Sequence, residues 1–321
     1  MRIVIPDDFP PVYQGHRELE RLAPYGEVAL FGTRAADQVE LIDRLQGAAA
    51  AINIRAYSRF DAELLAALPE LRILSILGTG TDNVDLEAAT QRGVVVTNTP
   101  GASTVSVAEL TFALMLSAAR HVATADRAVR SGQWRHLEGI ELRGKTLGIV
   151  GLGAIGQEVA SMARAFGMKV VAWSLTPDPE RARRVGATLV GLEELFGSAD
   201  VVSLHLRASS RTVGLVGARE LALMKPGAIL VNSARGALVD EKALAVALAS
   251  GRLGAAGLDA FVQEPLPADS PLVGLENVVL SPHTGWVTAE ASERLRQMPV
   301  DNLIAFFEGR PSNVVNPAVL A

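Results

Sequence analysis

Short apolar runs alternate with segments of helical apolar spacing along almost the whole chain. Ile3 to Ile5, Ala48 to Asn53, Ile73 to Leu77 and Val94 to Thr97 read as strands, with helices such as Ser58 to Ala67 between them. A second series opens at Thr146. Its strands are Thr146 to Val150, Lys169 to Trp173, Val201 to Leu206, Ala228 to Asn232, Ala255 to Asp259 and Val278 to Ser281, with a helix running to Phe166 after the first and another at Leu192 to Phe196. Alternation of this kind predicts parallel sheets with helices on both faces. Ser103 to Arg120 and Ala289 to Phe307 are also helical in pattern and are expected to carry the chain between the two series. The predicted architecture is α/β, with two doubly wound parallel-sheet domains. One is discontinuous, residues 1–98 and 287–321, and the other is residues 99–286.

The second series carries the most specific local signal. Gly151-Leu152-Gly153-Ala154-Ile155-Gly156 follows the first strand and opens the helix beginning near Gln157. In that setting G-x-G-x-x-G predicts a tight turn and a helix N-terminus built to hold a pyrophosphate. Gly151 permits the turn, Gly153 lets backbone approach the phosphates, and Gly156 lets helix and strand pack closely. The backbone of Ala154 and Ile155 completes the anion site at the helix start.

Composition narrows the chemistry. At 321 residues the chain is long for a single core, and 49% hydrophobic content with few aromatics fits a close-packed α/β protein. It has no cysteine, which removes disulfides, thiolate metal sites and a cysteine nucleophile. Five scattered histidines suggest no metal cluster, and a net charge of -5 with interspersed signs offers no stripe for nucleic acid. Neither a signal-peptide core nor an uncharged apolar span of about 20 residues is present, so a cytoplasmic protein without a membrane segment is expected.

In open α/β sheets ligands bind beyond the carboxyl ends of the strands. Three polar residues follow apolar runs there: Arg235 after Ala228 to Ala234, Glu264 after Gly257 to Phe261, and His283 after Val278 to Pro282. Their types suit hydride transfer between a 2-hydroxy acid and a nicotinamide. Histidine is the natural base, since its ordinary pKa lies near operating pH. A carboxylate on the far ring nitrogen fixes the tautomer and stabilises the imidazolium. An arginine fork pairs with a substrate carboxylate and polarises the adjacent carbonyl. Taken singly, Arg235 also reads as a surface ion-pair partner, Glu264-Pro265 as a turn and His283 as a loop residue.

Ordered motifs extend well beyond these three. They are Gly78-Thr79-Gly80-Thr81-Asp82-Asn83-Val84-Asp85, Asn98-Thr99-Pro100-Gly101 leading to Ala108-Glu109, Leu142-Arg143-Gly144-Lys145-Thr146, Met224-Lys225-Pro226-Gly227, Asn232-Ser233-Ala234-Arg235-Gly236, Gly257-Leu258-Asp259, Glu264-Pro265 and Ser281-Pro282-His283-Thr284-Gly285. With them the chain resembles, essentially end to end, the D-isomer-specific 2-hydroxyacid dehydrogenases, which include D-3-phosphoglycerate dehydrogenase and the glyoxylate and hydroxypyruvate reductases. The resemblance implies a Rossmann NAD(P)-binding domain inserted into a smaller flavodoxin-like substrate domain, usually as a homodimer. It implies Arg235, Glu264 and His283 as the catalytic residues. Gly78, Thr79, Gly80 and Arg55, together with Arg235 and His283, are implied to hold the substrate. Thr104, Val107, Ser174, Arg207, Ser233, Ala234, Asp259 and Gly285 are implied to line the cofactor, with Asp259 accepting from the nicotinamide carboxamide.

One position departs from the expected pattern. About 20 residues beyond the glycine motif, where an NAD-selective member usually has an acidic residue, this chain has Ser174. Arg181, Arg183 and Arg184 lie downstream, but Leu175 is not the arginine that favours a 2′-phosphate. NAD is the first expectation and NADP stays open. The substrate is expected to be a small 2-hydroxy or 2-keto acid, glyoxylate or hydroxypyruvate before 3-phosphoglycerate. Trp286 reads equally as a pocket wall or as packing. The competing class is a non-catalytic NAD(H)-sensing protein or corepressor on the same fold.

Overall fold

The structure, a computed structural model, describes residues 1–54 and 58–320. The chain divides into two compact units, Met1–Ser103 with Val287–Ala321, and Thr104–Trp286. The first unit begins with β1 (Arg2–Ile5), β2 (Glu27–Leu30), α1 (Gln38–Leu45), β3 (Ala48–Ile54), α2 (Ala62–Ala66), β4 (Ile73–Leu77), α3 (Leu86–Gln91) and β5 (Val95–Thr97). Its parallel strands lie in the order β2-β1-β3-β4-β5, a flavodoxin-like arrangement. Every residue of β3 and β4 is buried, as a parallel strand covered on both faces requires.

Each helix of this segment starts on an aspartate. Asp37, Asp61 and Asp85 accept from the N–H groups of Glu40, Leu64 and Ala88. That chemistry shortens the helix expected from Ser58. Phe60 bridges to Val84 and Asp61 is the cap, so α2 begins at Ala62. Strand β2, a short half-exposed edge strand of four residues, escaped the sequence reading.

The second unit contains α4 (Thr104–Arg120), α5 (Val122–Arg130), β6 (Thr146–Val150), α6 (Ala154–Ala165), β7 (Lys169–Trp173), α7 (Pro179–Arg184), β8 (Thr188–Leu189), α8 (Leu192–Ser198), β9 (Val201–Leu204), α9 (Ala218–Leu223), β10 (Ala228–Asn232), α10 (Glu241–Ala249), β11 (Leu253–Leu258) and β12 (Val278–Leu280). All its strand pairs are parallel, in the order β12-β11-β10-β9-β6-β7-β8. This is the Rossmann order with a further strand, and it reverses between β6 and β9. The sheet has seven strands where the sequence suggested six. The extra strand, β8, is two residues long, too short to leave a period of its own.

Helix α4 fills one face of this sheet with Phe112, Leu114 and Met115, all buried. Burying each such side chain contributes about 1.5–3 kcal/mol relative to leaving it in water. Among the described residues no single helix is long and apolar enough to cross a membrane.

The chain returns to the first sheet as α11 (Ala289–Phe307), capped by Thr288. Ser75 Oγ on β4 donates to the Pro299 carbonyl at 3.2 Å, and buried Asn302 donates to the Asn98 carbonyl at 2.9 Å. Past the helix, Val315 N–H donates to the Val96 carbonyl at 2.9 Å and covers the edge of β5. The first unit extends to Ser103, beyond the Asn98 boundary expected from the sequence. Residues after Asn98 fold back on the end of β4, with Thr99 N–H on the Gly78 carbonyl at 3.0 Å and Gly78 N–H on Thr99 Oγ1 at 2.9 Å.

Candidate active site

Gly151 leaves β6 at the reversal point with φ +104°, and a Cβ there would lie 2.6 Å from the His205 carbonyl oxygen beyond β9. A Cβ on Gly156 would lie 2.2 Å from the Gly151 carbonyl oxygen, so α6 can start this close to the strand only with glycine. Gly153, the N-cap of α6, faces open space. The first bond of the helix runs from Gln157 N–H to the Gly153 carbonyl, so the N–H groups of Ala154, Ile155 and Gly156 have no partner in the turns of α6. A tight turn, an open approach and unpaired donors at a helix start fit a dinucleotide pyrophosphate.

The loops after β10, β11 and β12 converge farther along the same sheet edge. Asn232, at the end of β10, donates from Nδ2 to the Arg235 carbonyl at 2.8 Å and accepts from the Ala234 N–H at 3.0 Å, which fixes the turn that presents Arg235. Gly236 follows, and a Cβ there would lie 1.9 Å from the Phe261 carbonyl carbon. The missing side chain lets the arginine loop lie flat on the loop that carries Glu264.

Glu264 Oε1 accepts from Phe261 N–H at 2.9 Å, and its Oε2 lies 2.8 Å from His283 Nδ1. Burial alone would raise the Glu264 pKa. The bonds with His283 and Phe261 and the nearby His283 and Arg235 charges outweigh it and hold the carboxyl below its usual value. Glu264 therefore stays ionised and aimed at one ring nitrogen, leaving the other for a substrate.

His283 has φ 54°, a left-handed conformation that costs an L residue about 1–2 kcal/mol. The sheet holds it there. Asp259, 1% exposed at the end of β11, accepts Thr284 N–H on Oδ1 and Gly285 N–H on Oδ2, both at 2.9 Å. Ser281 and Thr284 close the loop with a 2.8 Å hydroxyl pair. Both Asp259 oxygens thus serve the histidine loop, the loop-capping duty that the sequence offers as the alternative to a carboxamide contact.

The other expected cofactor residues lie around the same edge. Thr104 begins α4, and Val107 on that helix lies beside the backbone of Gly285. Ser233 Oγ is paired with Thr111 Oγ1 at 2.6 Å and Ala234 N–H with Asn232, so these two offer shape more than free donors. Arg207 follows His205 in the loop after β9, its carbonyl accepting from Thr212 Oγ1 at 2.7 Å. Ser174 Oγ accepts the Leu152 N–H of the glycine turn at 2.8 Å. Trp286 is partly buried at the end of the unit.

Gly78, Thr79 and Gly80 belong to the first unit. Because the Gly78 N–H is taken by Thr99, the backbone donors of this run without a partner among the described residues are those of Thr79 and Gly80. Arg55 lies outside the described residues.

His205 was not singled out by the sequence reading, in which it fell inside the strand expected from Val201 to Leu206. Its Nε2 lies 2.9 Å from Ser203 Oγ, and burial of the ring lowers its pKa to about 3. As pH falls below about 6.5 the unfolded chain takes this proton and the fold does not, so acid costs stability until the folded pKa is reached. The residue as a whole keeps partial exposure, which moderates the effect. His205→Gln is expected to shrink the drop in Tm between pH 7 and pH 4.5. An unchanged drop would show that this ring does not titrate against the fold.

A Rossmann sheet with this turn and a histidine–carboxylate–arginine edge defines an NAD(P)-dependent oxidoreductase acting on the CH–OH group of 2-hydroxy acids. Residues 112–285 match the family described as D-isomer specific 2-hydroxyacid dehydrogenase, NAD binding domain, and the chain belongs to that family. It is 46% identical to a glyoxylate reductase from Thermococcus litoralis over 272 residues, 82% of each chain. It is also 46% identical to a D-3-phosphoglycerate dehydrogenase from Mycobacterium tuberculosis over 86% of this chain, although it spans only 53% of that longer relative. In structure it is similar to an NADPH-dependent glyoxylate/hydroxypyruvate reductase from Sinorhizobium meliloti, with TM-score 0.85 and 32% identity over 98% of this chain and 97% of the other.

Proposed function

We propose that this protein interconverts a small 2-keto acid and its D-2-hydroxy acid, with glyoxylate, hydroxypyruvate or a similar aliphatic acid as substrate before 3-phosphoglycerate. The observation that carries this reading is the 2.8 Å pairing of His283 Nδ1 with ionised Glu264, with the Arg235 charge beside it. Bound nicotinamide supplies the hydride in reduction and takes it in oxidation. His283 gives a proton to the carbonyl oxygen through its other ring nitrogen, or removes one from the hydroxyl. Glu264 fixes the ring and stabilises its charged form. Arg235 pairs with the substrate carboxylate and draws charge toward the carbonyl oxygen.

The preference for glyoxylate-like acids is supported by the Thermococcus relative, which matches over most of both chains. A homodimer in the cytoplasm belongs to the same proposal. Its support on the structural side is the apolar surface left open on and after α5, where Val122, Val129 and Trp134 are exposed. Steady-state turnover with a panel of 2-keto acids against NADH and NADPH tests the reading. Turnover is expected with at least one small acid. Cofactor binding without turnover of any acid would replace the enzyme with a nicotinamide sensor.

A further inference from the structure

The end of β7 points to which dinucleotide the site takes. In the segment 174–184, which follows that strand and includes α7, three arginines face two carboxylates. Each carboxylate is paired with an arginine of the same helix. Asp178 caps α7, with Oδ1 accepting the Arg181 N–H at 3.0 Å and Oδ2 lying 3.4 Å from Arg181 Nε. Glu180 is paired with Arg183. Directly after the strand, where an NAD-selective site presents a carboxylate to the two ribose hydroxyls, this chain has Ser174.

Cationic and hydroxyl donors stand in its place, bonded to the two successive peptides that meet at Leu152 in the glycine turn. Ser174 Oγ accepts the Leu152 N–H at 2.8 Å, so the serine O–H remains to donate. Arg181 reaches back from α7 and donates from Nη1 to the Leu152 carbonyl at 3.3 Å. Its Nη2 has no partner among the described residues, and its side chain is 40% exposed. A hydroxyl donor and a half-free guanidinium on the two edges of Leu152 suit a dianion better than a neutral diol. The two other arginines of the segment are exposed and do not reach the turn.

We propose that Ser174 and Arg181 form the seat of a 2′-phosphate, so that this protein selects NADP(H) over NAD(H). The proposal rests on the dinucleotide reading of the glycine turn and names its adenosine-side specificity. Arg181 is the discriminating residue, and Ser174 fixes the turn while offering a second donor.

Calorimetric titration of the intact protein with adenosine 2′,5′-bisphosphate and with 5′-AMP tests this without turnover. The 2′-phosphate is expected to tighten binding by about tenfold, as one charge-assisted contact does. Arg181→Gln should remove that gain, so that the bisphosphate and 5′-AMP bind alike within about twofold. Ser174→Asp keeps an acceptor for the Leu152 N–H but repels phosphate, and should reverse the preference toward NAD⁺. Equal binding of the two nucleotides, or a preference for the bisphosphate that survives Arg181→Gln, overturns the proposal while the dinucleotide reading stands. Failure of 5′-AMP, NAD⁺ and NADP⁺ all to bind overturns both.

Discussion

His283→Ala is expected to lower kcat by about 10³-fold while the affinity for NAD(P)H changes by less than about twofold. In the proposed mechanism the imidazole handles the substrate proton and the glycine turn after β6 holds the dinucleotide, and the two lie on different strands of the sheet. The loop itself should survive the change, because Asp259 grips the N–H groups of Thr284 and Gly285 and not the histidine ring. Stopped-flow measurement of the chemical step, together with fluorescence titration of the reduced cofactor, separates the two effects. If cofactor affinity fell as far as turnover, His283 would be a binding or structural residue and the proton assignment would fail.

Arg235→Lys is expected to lower kcat/KM for the keto acid by about 10²-fold, since an ammonium keeps the charge but not the planar fork that pairs with a carboxylate. The turn that presents the side chain keeps the bond between Asn232 and the Arg235 carbonyl in the variant, although the 2.8 Å bond from Arg235 Nη1 to the Ala234 carbonyl is lost. The melting temperature should therefore hold, and cofactor affinity with it. A variant with ordinary kinetics would take Arg235 out of the mechanism. A variant that lost kcat with no change in KM would mean that the residue acts on the carbonyl oxygen alone.

Much of this was legible in the residues because the fold is built from strongly patterned pieces. Buried parallel strands such as β3 and β10 are continuous apolar runs, and the glycine motif is interpretable because β6 and α6 flank it. The edges were harder to read. Strands β2 and β8 are short edge strands, four and two residues long, and α2 lost its first turn to a cap at Asp61 that competes locally with the helix.

The catalytic candidates were legible as strand-end polar residues. What holds them was not, because those contacts join positions far apart in sequence. Thr111 meeting Ser233, Gly236 lying against Phe261, and Asp259 gripping Thr284 and Gly285 become visible only once the strands are side by side. The 2′-phosphate question was open for a related reason. Arg181, Arg183 and Arg184 look equivalent in a row, and only the path of α7 brings Arg181 back to Leu152.

The double grip of Asp259 has a consequence for the histidine loop. Leu258 pairs with Leu280 across β11 and β12, so the anchor and the loop it holds issue from adjoining strand ends at matched height. The proton carrier then inherits its position from the sheet and need not be recruited by a moving flap. The imidazole is accordingly set for its proposed role before any ligand arrives.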